Sequence, residues 1–431
     1  MKNVNVGLVG FGTVGSGVVR TLLGKHRLIE KRSGVSVRLV KIADKNIKSR
    51  PGIRLPGGIL TRNTDDVIND KKIDIVIELI GGIHPAKEII IKALTSGKHV
   101  VTANKALLAE HGKEIFTAAS RFRVNIGFEG SVGGGIPIIS ALQNSLVGNE
   151  IELISGILNG TSNFILSKMT DDNCSFAEAL REARQRGIAE KNPKLDVMGF
   201  DSRHKLAILT LLGFGVSVKP ENIYVEGIED IDPLDIQYAG NWGYTVKLLA
   251  IAKKSGNGLE LRVHPTLIPS RDILASVKDE NNAIFVKGDM VGETLFYGRG
   301  AGSLPAASSV IGDVVEISKM IKSLRKPLFP IQMGANSGVK KICGMNNLAT
   351  RYYVRFSAID KPGVLAGVSG VLAKNGISIA TVTQKERKKG QPVPIVMLTH
   401  EANEGWMNKA LAVIDKMPFI KKKSVKIRME I

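Results

Sequence analysis

Near its start the chain runs from an apolar segment, Val4–Val9, straight into Gly10-Phe11-Gly12-Thr13-Val14-Gly15. A Val-rich run of this length reads as a strand buried on both faces of a parallel sheet. The glycines that follow have separate tasks. Gly10 permits a tight turn, Gly12 lets a pyrophosphate approach the backbone, and Gly15 lets the next helix pack closely. The helix N-terminus attracts the phosphates. Downstream, residues 35–43, 73–80 and 99–102 read as further strands. Residues 13–23, 84–95 and 107–119 have helical spacing, with Pro85 suited to a first turn. Repeated strand–helix–strand predicts a doubly wound α/β domain over residues 1–130.

Which dinucleotide is held depends on the end of the second strand. An acid there holds the ribose hydroxyls of NAD. Asp44 is that acid, but it lies further along than the usual spacing. Lys41, Lys45, Lys48 and Arg50 surround it and suit a 2′-phosphate, or form a solvated loop. The basic residues tip the reading toward NADP, with NAD the alternative.

The middle of the chain changes character. Residues 138–146, 164–169, 176–186 and 202–213 read as helices, and residues 151–158, 263–267, 283–286 and 294–297 as strands. This is an α+β domain, residues 131–305, expected to carry catalysis and dimerisation. A long helical pattern over 306–324 has no strand partner of its own and is expected to pack back on the first domain. Residues 326–348 read as a linker rich in Lys, Pro, Gly and Asn. Beyond it, residues 349–431 give the order βαββαβ, a ferredoxin-like unit suited to regulation.

Charge and cysteine content narrow the function. Lys and Arg number 60 against 40 Asp and Glu, a formal charge of +20, which favours anionic partners. The basic residues are dispersed, with the densest runs at 385–389 and 421–428, and aromatic residues are 5%. Base-stacking platforms are therefore scarce, and a solvated basic surface is favoured over a nucleic-acid site. Cys174 and Cys343 are the only cysteines, which excludes a disulfide framework and a cysteine-rich metal site. Neither has a local setting for thioester chemistry, so simple hydride transfer to a carbonyl fits better. No signal-peptide core or membrane-length apolar run is present, and the cytoplasm is the expected location.

Several residues are candidates for chemistry. Lys105, in Val100-Val101-Thr102-Ala103-Asn104-Lys105, follows a strand's C-terminal end, the edge where open α/β sheets bind ligands. An ordinary surface lysine fits equally well. Asp201 and Lys205 are four apart and share a helical face. Spacing alone favours Asp201 as an N-cap with Lys205 as its surface partner; the sharper alternative makes Lys205 a proton donor beside a carboxylate. Glu129-Gly130-Ser131-Val132-Gly133-Gly134-Gly135-Ile136-Pro137 is a glycine-rich loop with one acid, able to turn carbonyl oxygens around a hard cation. Asn159-Gly160-Thr161 and Gly298-Arg299-Gly300-Ala301-Gly302 are tight polar turns.

Together these motifs resemble homoserine dehydrogenases of the monofunctional type with a C-terminal ACT domain. The resemblance covers nearly the whole chain. It rests on Gly10 to Gly15, Gly97 to Lys105, Glu129 to Pro137, Gly156 to Thr161, Gly187 to Glu190, Asp201 to Lys205 and Gly300-Ala301-Gly302. The C-terminal part matches through Asp360-Lys361-Pro362-Gly363-Val364-Leu365-Ala366 and Val396 to Glu401. The fold it implies is a Rossmann-like domain, an α+β catalytic and dimerisation domain and a ferredoxin-like ACT domain. The activity it implies is NAD(P)-dependent interconversion of L-homoserine and L-aspartate 4-semialdehyde, toward threonine, methionine and isoleucine. By motif, Lys205 looks like the proton donor and Lys105 a second lysine near cofactor and substrate. Glu190, Asp201 and Gly187 look like substrate-site residues, and Gly10, Phe11, Gly12, Thr13, Val14, Gly15, Lys105 and Gly302 cofactor contacts. Glu129, Val132, Gly134 and Ile136 look like a sodium site. A homodimer or homotetramer is expected, with L-threonine as effector at the ACT domain. Lys191-Asn192-Pro193 departs from the family pattern, in which an acid commonly precedes the proline.

Overall fold

The computed structural model describes residues 3–46, 53–323, 339, 341–384 and 392–430. The chain divides into two compact units. The first holds Met1–Ile154, Arg203–Ile223 and Asn282–Ser337, and the second Ser155–Ser202, Tyr224–Asn281 and Gly338–Ile431.

The first unit is built on six strands, β1 (Val4–Val9), β2 (Val37–Ala43), β3 (Leu60–Thr61), β4 (Ile75–Glu78), β5 (His99–Thr102) and β6 (Ile126–Gly127). All neighbours pair in parallel, in the order β3-β2-β1-β4-β5-β6. That order reverses between β1 and β4, so the glycine turn after β1 stands at the topological switch point, where doubly wound sheets bind ligands. Strands β1 and β4 are apolar because helices cover both faces. The helix Thr13–Gly24 follows the turn, and Ala86–Thr95 and Lys105–Arg121 flank β4 and β5. Pro85 stands at the cap position before Ala86–Thr95 rather than inside its first turn.

The helix Ser303–Lys322 packs on Thr13–Gly24. Its Ala307, Val310, Ile311, Val314 and Ile317 join Val6, Leu8, Val18 and Leu22 in one buried cluster. Pro305 lies within its first turn, where a missing N–H leaves no helical bond unmade. The helix expected over 138–146 is shorter than predicted. Ile138–Ser140 is a single α-turn passing into a π-helical turn, Ala141–Ser145.

In the second unit the strands run in the order Tyr244–Ser255, Gly258–Pro269, Ile420–Met429, Ala349–Ile359, Pro392–Thr399 and Ile379–Thr383. The first pair is an antiparallel hairpin with Ser255 opposite Gly258. Sequence reasoning expected only a short strand near 263–267 and missed Tyr244–Ser255. It also missed the helix Pro233–Asn241, which Asp232 caps through Leu234 N. The ferredoxin-like order is present, with the helices Val364–Lys374 and Glu404–Ile414 packed over one core. Its last strand also continues the hairpin's sheet: Thr266 and Leu267 pair in parallel with Arg428 and Met429. The C-terminal module is therefore sewn into the second unit by its final strand, and not attached by a tether alone. Most of the expected linker, and the basic run 385–389, lie outside the described residues.

Candidate functional site

The turn after β1 has the conformation its glycines require. Gly10 has a φ of 102° and donates its N–H to Ala43 O at 2.9 Å. A Cβ there would lie 2.6 Å from Leu79 C. At Gly15 it would lie 2.1 Å from Gly10 O, whereas at Gly12 it would meet nothing within 4 Å. Gly10 and Gly15 are thus fixed by the fold, and Gly12 leaves open space at the helix N-terminus, as a pyrophosphate needs. The residues fit a dinucleotide. Asp44 follows β2, and its carboxylate accepts Phe11 N at 2.5 Å and Asn46 N at 2.7 Å. Lys41 is half-buried and Lys45 exposed, while Lys48 and Arg50 lie outside the described residues. Gly302 caps the helix Ser303–Lys322 with a φ of 122°, and Ser303 Oγ donates to Thr13 O at 2.7 Å.

Two elements place polar groups at the C-terminal ends of β4 and β5. Glu78 is fully buried and accepts Thr102 Oγ1 at 2.7 Å and Ile80 N at 2.8 Å. Burial pushes its carboxyl above the ordinary range, against those hydrogen bonds. Asn104 donates to Gly82 O at 2.6 Å and caps the helix that Lys105 begins. Lys105 is half-buried. Sequence reasoning missed Glu78; the signal was an acid closing an otherwise apolar strand, Ile-Val-Ile-Glu.

The Glu129 loop is closed by backbone donors. Glu129 Oε1 accepts Ile139 N and Oε2 accepts Ser140 N, each at 2.8 Å. Its own N–H donates to Asp313 Oδ2 at 2.9 Å. Burial raises the Glu129 carboxyl. Burial and then the Glu129 charge hold Asp313 well above its ordinary value. Neither acid makes an ion pair among the described residues. Val132 is extended and buried, Gly134 O accepts Ser309 Oγ at 2.6 Å, and Ile136 N donates to Gly133 O at 2.9 Å. Asp313 was also missed, since it lies 184 residues from Glu129.

The helix Phe200–Phe214 carries Asp201 and Lys205. Here the bland reading fails. Asp201 lies inside the first turn rather than at the cap, and Lys205 is 6% exposed, not a surface partner. Asp201 is itself buried and accepts Asn159 Nδ2 at 2.8 Å, while the same amide donates to Asp196 at 2.7 Å. Asp196 was not anticipated. The Gly187 turn has a φ of 73° and is tied to the neighbouring helix by Thr161 Oγ1 donating to Ile188 O at 3.1 Å. Glu190 is exposed.

Models of protein families match the chain in three successive blocks. Residues 10–129 match the homoserine dehydrogenase NAD-binding domain, residues 137–315 homoserine dehydrogenase, and residues 352–418 the ACT domain. A homoserine dehydrogenase of Neisseria gonorrhoeae is 42% identical over 433 residues, covering 100% of this chain and 99% of that one. The chain belongs to the homoserine dehydrogenase family. Its function is accordingly that of a homoserine dehydrogenase, an oxidoreductase using a nicotinamide cofactor. The solved homoserine dehydrogenase of Thiobacillus denitrificans superposes with a TM-score of 0.93 at 45% identity, covering 100% and 99% of the two chains. A hyperthermophilic archaeal homoserine dehydrogenase, solved in complex with NADPH, matches at a TM-score of 0.61 and 26% identity, over 74% of this chain and 98% of that one.

Hydride transfer in this family needs no thiol in this chain. Cys174 and Cys343 are both free, and burial raises the Cys174 thiol, the wrong direction for a nucleophile. The 421–428 run is not a uniformly solvated basic face. Lys421, Lys422 and Lys423 are exposed, but Lys426 is half-buried and Arg428 fully buried, both paired with acids. Among the described residues, no helix is long and apolar enough to cross a membrane.

Proposed function

We propose that the chain interconverts L-homoserine and L-aspartate 4-semialdehyde, with Lys205 delivering the proton to the aldehyde oxygen. Hydride reaches the carbonyl carbon from the reduced nicotinamide, and negative charge grows on the oxygen. A buried ammonium stabilises that charge more than one in water and supplies the proton. The observation that carries this is the burial of Lys205 on the helix opened by Phe200 and Asp201. Lys105, at the ligand edge of the sheet, serves the cofactor and substrate. Asp201, Glu190 and Gly187 are substrate-binding residues, with Glu190 facing the amino group. Gly10, Phe11, Gly12, Thr13, Val14, Gly15 and Gly302 hold the cofactor. NADP is the preferred coenzyme, which the exposed Lys45 supports and Asp44 opposes. The test is homoserine-dependent reduction of NAD⁺ and NADP⁺, followed by absorbance of the reduced nicotinamide; no reduction of either would end this reading.

Glu129 and the backbone oxygens of Val132, Gly134 and Ile136 would hold a sodium ion. Two buried carboxyls without an ion pair support this, because a cation would offset their charge. Residues 1–130, with residues 306–325, form the nucleotide domain; 131–305 the catalytic and dimerisation domain; 326–348 the linker; and 349–431 the regulatory domain. The enzyme works in the cytoplasm as a homodimer or homotetramer, in threonine, methionine and isoleucine synthesis. L-Threonine binds near Asp360, where the N-terminus of Val364–Lys374 follows Gly363 and can receive a carboxylate. Inhibition by threonine that Asp360→Ala relieves, with activity otherwise intact, is the expected result. Removing the whole module would be a poorer test, because it strips a strand from the Gly258–Pro269 sheet.

A further inference from the structure

The strand Asn281–Gly288 places Asn282, Ile284 and Val286 on one face, because side chains alternate along a strand. All three are fully buried. Ile and Val suit such a face and need no partner. Asn282 brings a carbonyl oxygen and an NH2 group, and neither Oδ1 nor Nδ2 has a hydrogen-bond partner among the described residues. Native proteins pair nearly all buried polar atoms, since each one left unpaired keeps the cost of leaving water. An amide unpaired at both ends therefore points to partners supplied by another state of the site.

What the amide touches shows where those partners are. A Cβ at Gly300 would fall on the Asn282 amide, too close to Cγ, Nδ2 and Oδ1 alike. Gly300 O in turn lies against Gly134, where a Cβ would be 2.5 Å from it. Two residues on, Gly302 opens the helix Ser303–Lys322, and Ser303 Oγ donates to Thr13 O at 2.7 Å. A Cβ at Gly17 would lie 2.7 Å from Ser303 O. Asn282 thus backs the turn Gly300-Ala301-Gly302, and that turn leads directly onto the helix that follows the Gly10–Gly15 motif.

We propose that Asn282 is a positioning residue for the nicotinamide coenzyme: its amide pairs with peptide groups of Gly300-Ala301-Gly302 when that turn closes on the coenzyme. This rests on the reading of Gly302 as a coenzyme contact. Glycines at 300 and 302 leave the peptides between them free to turn. In the free chain the unmade hydrogen bonds of the amide cost stability. Making them in the bound chain adds to coenzyme affinity.

Two measurements on the full chain test this: fluorescence titration with NADPH and with NADH, and urea unfolding without coenzyme. Asn282→Leu keeps the volume and removes the polar atoms. Its unfolding midpoint should equal or exceed that of the wild type, while the dissociation constant of the reduced coenzyme rises roughly tenfold. A side chain that only filled space would not move the two in opposite directions. Asn282→Ala and Asn282→Ser need no extra room and decide the matter if leucine is not accommodated beside Gly300. Alanine should weaken the coenzyme as leucine does, and serine, which keeps a hydroxyl, should recover part of the loss. The proposal is overturned by wild-type affinity in Asn282→Leu or Asn282→Ala, or by serine binding no better than alanine. A wild type that binds neither NADPH nor NADH overturns the coenzyme reading as well. A wild type that binds no better than the variants overturns this proposal alone.

Discussion

Both units bury carboxylates, but they compensate them in opposite ways. In the first, Glu78, Glu129 and Asp313 are held by hydroxyl and backbone donors, and none has a cationic side chain as a partner among the described residues. In the second, Glu404 is gripped by Arg428 at 2.7 Å and by Lys426. Asp235 takes Arg355 in a two-pronged contact, at 2.6 and 2.8 Å, together with Tyr353 Oη. Arg262, 2% exposed, joins Glu260 and Glu430. Acids left without counter-charge leave a negative field for a cation. Among the neutralised acids, Glu430 with Arg262 fastens the C-terminal module to the hairpin and Asp235 with Arg355 fastens it to the Pro233–Asn241 helix, while Glu404 with Arg428 and Lys426 ties the module to itself. Chemistry is therefore sought in the first arrangement and mechanical continuity in the second.

The sharpest way to break this contrast is Arg428→Ala. It leaves Lys426 as the remaining cation on Glu404 and removes a partner of Glu226, and loss of one member of a buried ionic network costs up to about 3–5 kcal/mol. Urea unfolding of the full chain should show the transition of the second unit moved to lower denaturant. Replacing Arg428 by Met together with Glu404→Gln should recover much of that loss. An unchanged midpoint for Arg428→Ala would mean that the buried pairs do not fasten this unit.

Lys205→Ala comes next, with turnover expected to fall roughly 100-fold or more, the scale of a lost general acid. Unfolding should change far less than in Arg428→Ala, and cofactor affinity hardly at all. Near-normal turnover in the purified variant removes Lys205 from the reaction. A smaller effect separates the two constrained glycines from the open one. Gly12→Ala adds a methyl where the protein leaves space, so stability should hold while the cofactor KM rises by about tenfold, near 1.4 kcal/mol. Gly15→Ala should instead destabilise the first unit, because its Cβ collides with Gly10 O. Equal effects of both substitutions on stability would show that the space at Gly12 is not reserved.

How far the sequence could be read follows the same division. The glycine turn and the order of β1, β4 and β5 were legible because their signals are local: short apolar runs, glycines at fixed offsets, a helix directly after. Tyr244–Ser255 was not legible, since its apolar stretch fits a helix as well as a strand until Gly258–Pro269 pairs with it. Arg428 read as one more basic residue in a charged run. Strand alternation turns it inward, but only the partners Glu404 and Glu226, 24 and 202 residues away, decide whether an inward arginine is tolerable. Spacing alone made Lys205 a surface partner for a similar reason: burial is a tertiary fact that an i, i+4 pattern does not carry.

The finest test of the comparison is acidity, because the two sets of acids should respond with opposite sign. Burial raises Glu78 and Glu129 above the ordinary glutamate value of about 4.5. Each then costs stability when charged near neutral pH, and that cost is relieved as pH falls through the raised folded value. At Glu404 burial also pushes upward, but the Arg428 hydrogen bond and charge, followed by Lys426, outweigh it and leave the carboxyl lowered. Its contribution is complete above about pH 4.5 and is lost as pH falls below that, through the lowered folded value. Mild acidification from neutral should therefore tighten the first unit before it loosens the second. Hydrogen exchange, corrected for its intrinsic pH dependence, can follow amides of β4 and β5 against those of Ala349–Ile359 and Ile420–Met429. Protection in β4 and β5 is expected to rise slightly toward pH 5, and protection in the second set to fall below about pH 4.5. Glu404→Gln should flatten only the second response, and Glu78→Gln only the first. If both sets lose protection together, the counter-charges do not distinguish the units, and the unpaired acids of the first lose their claim to a cation.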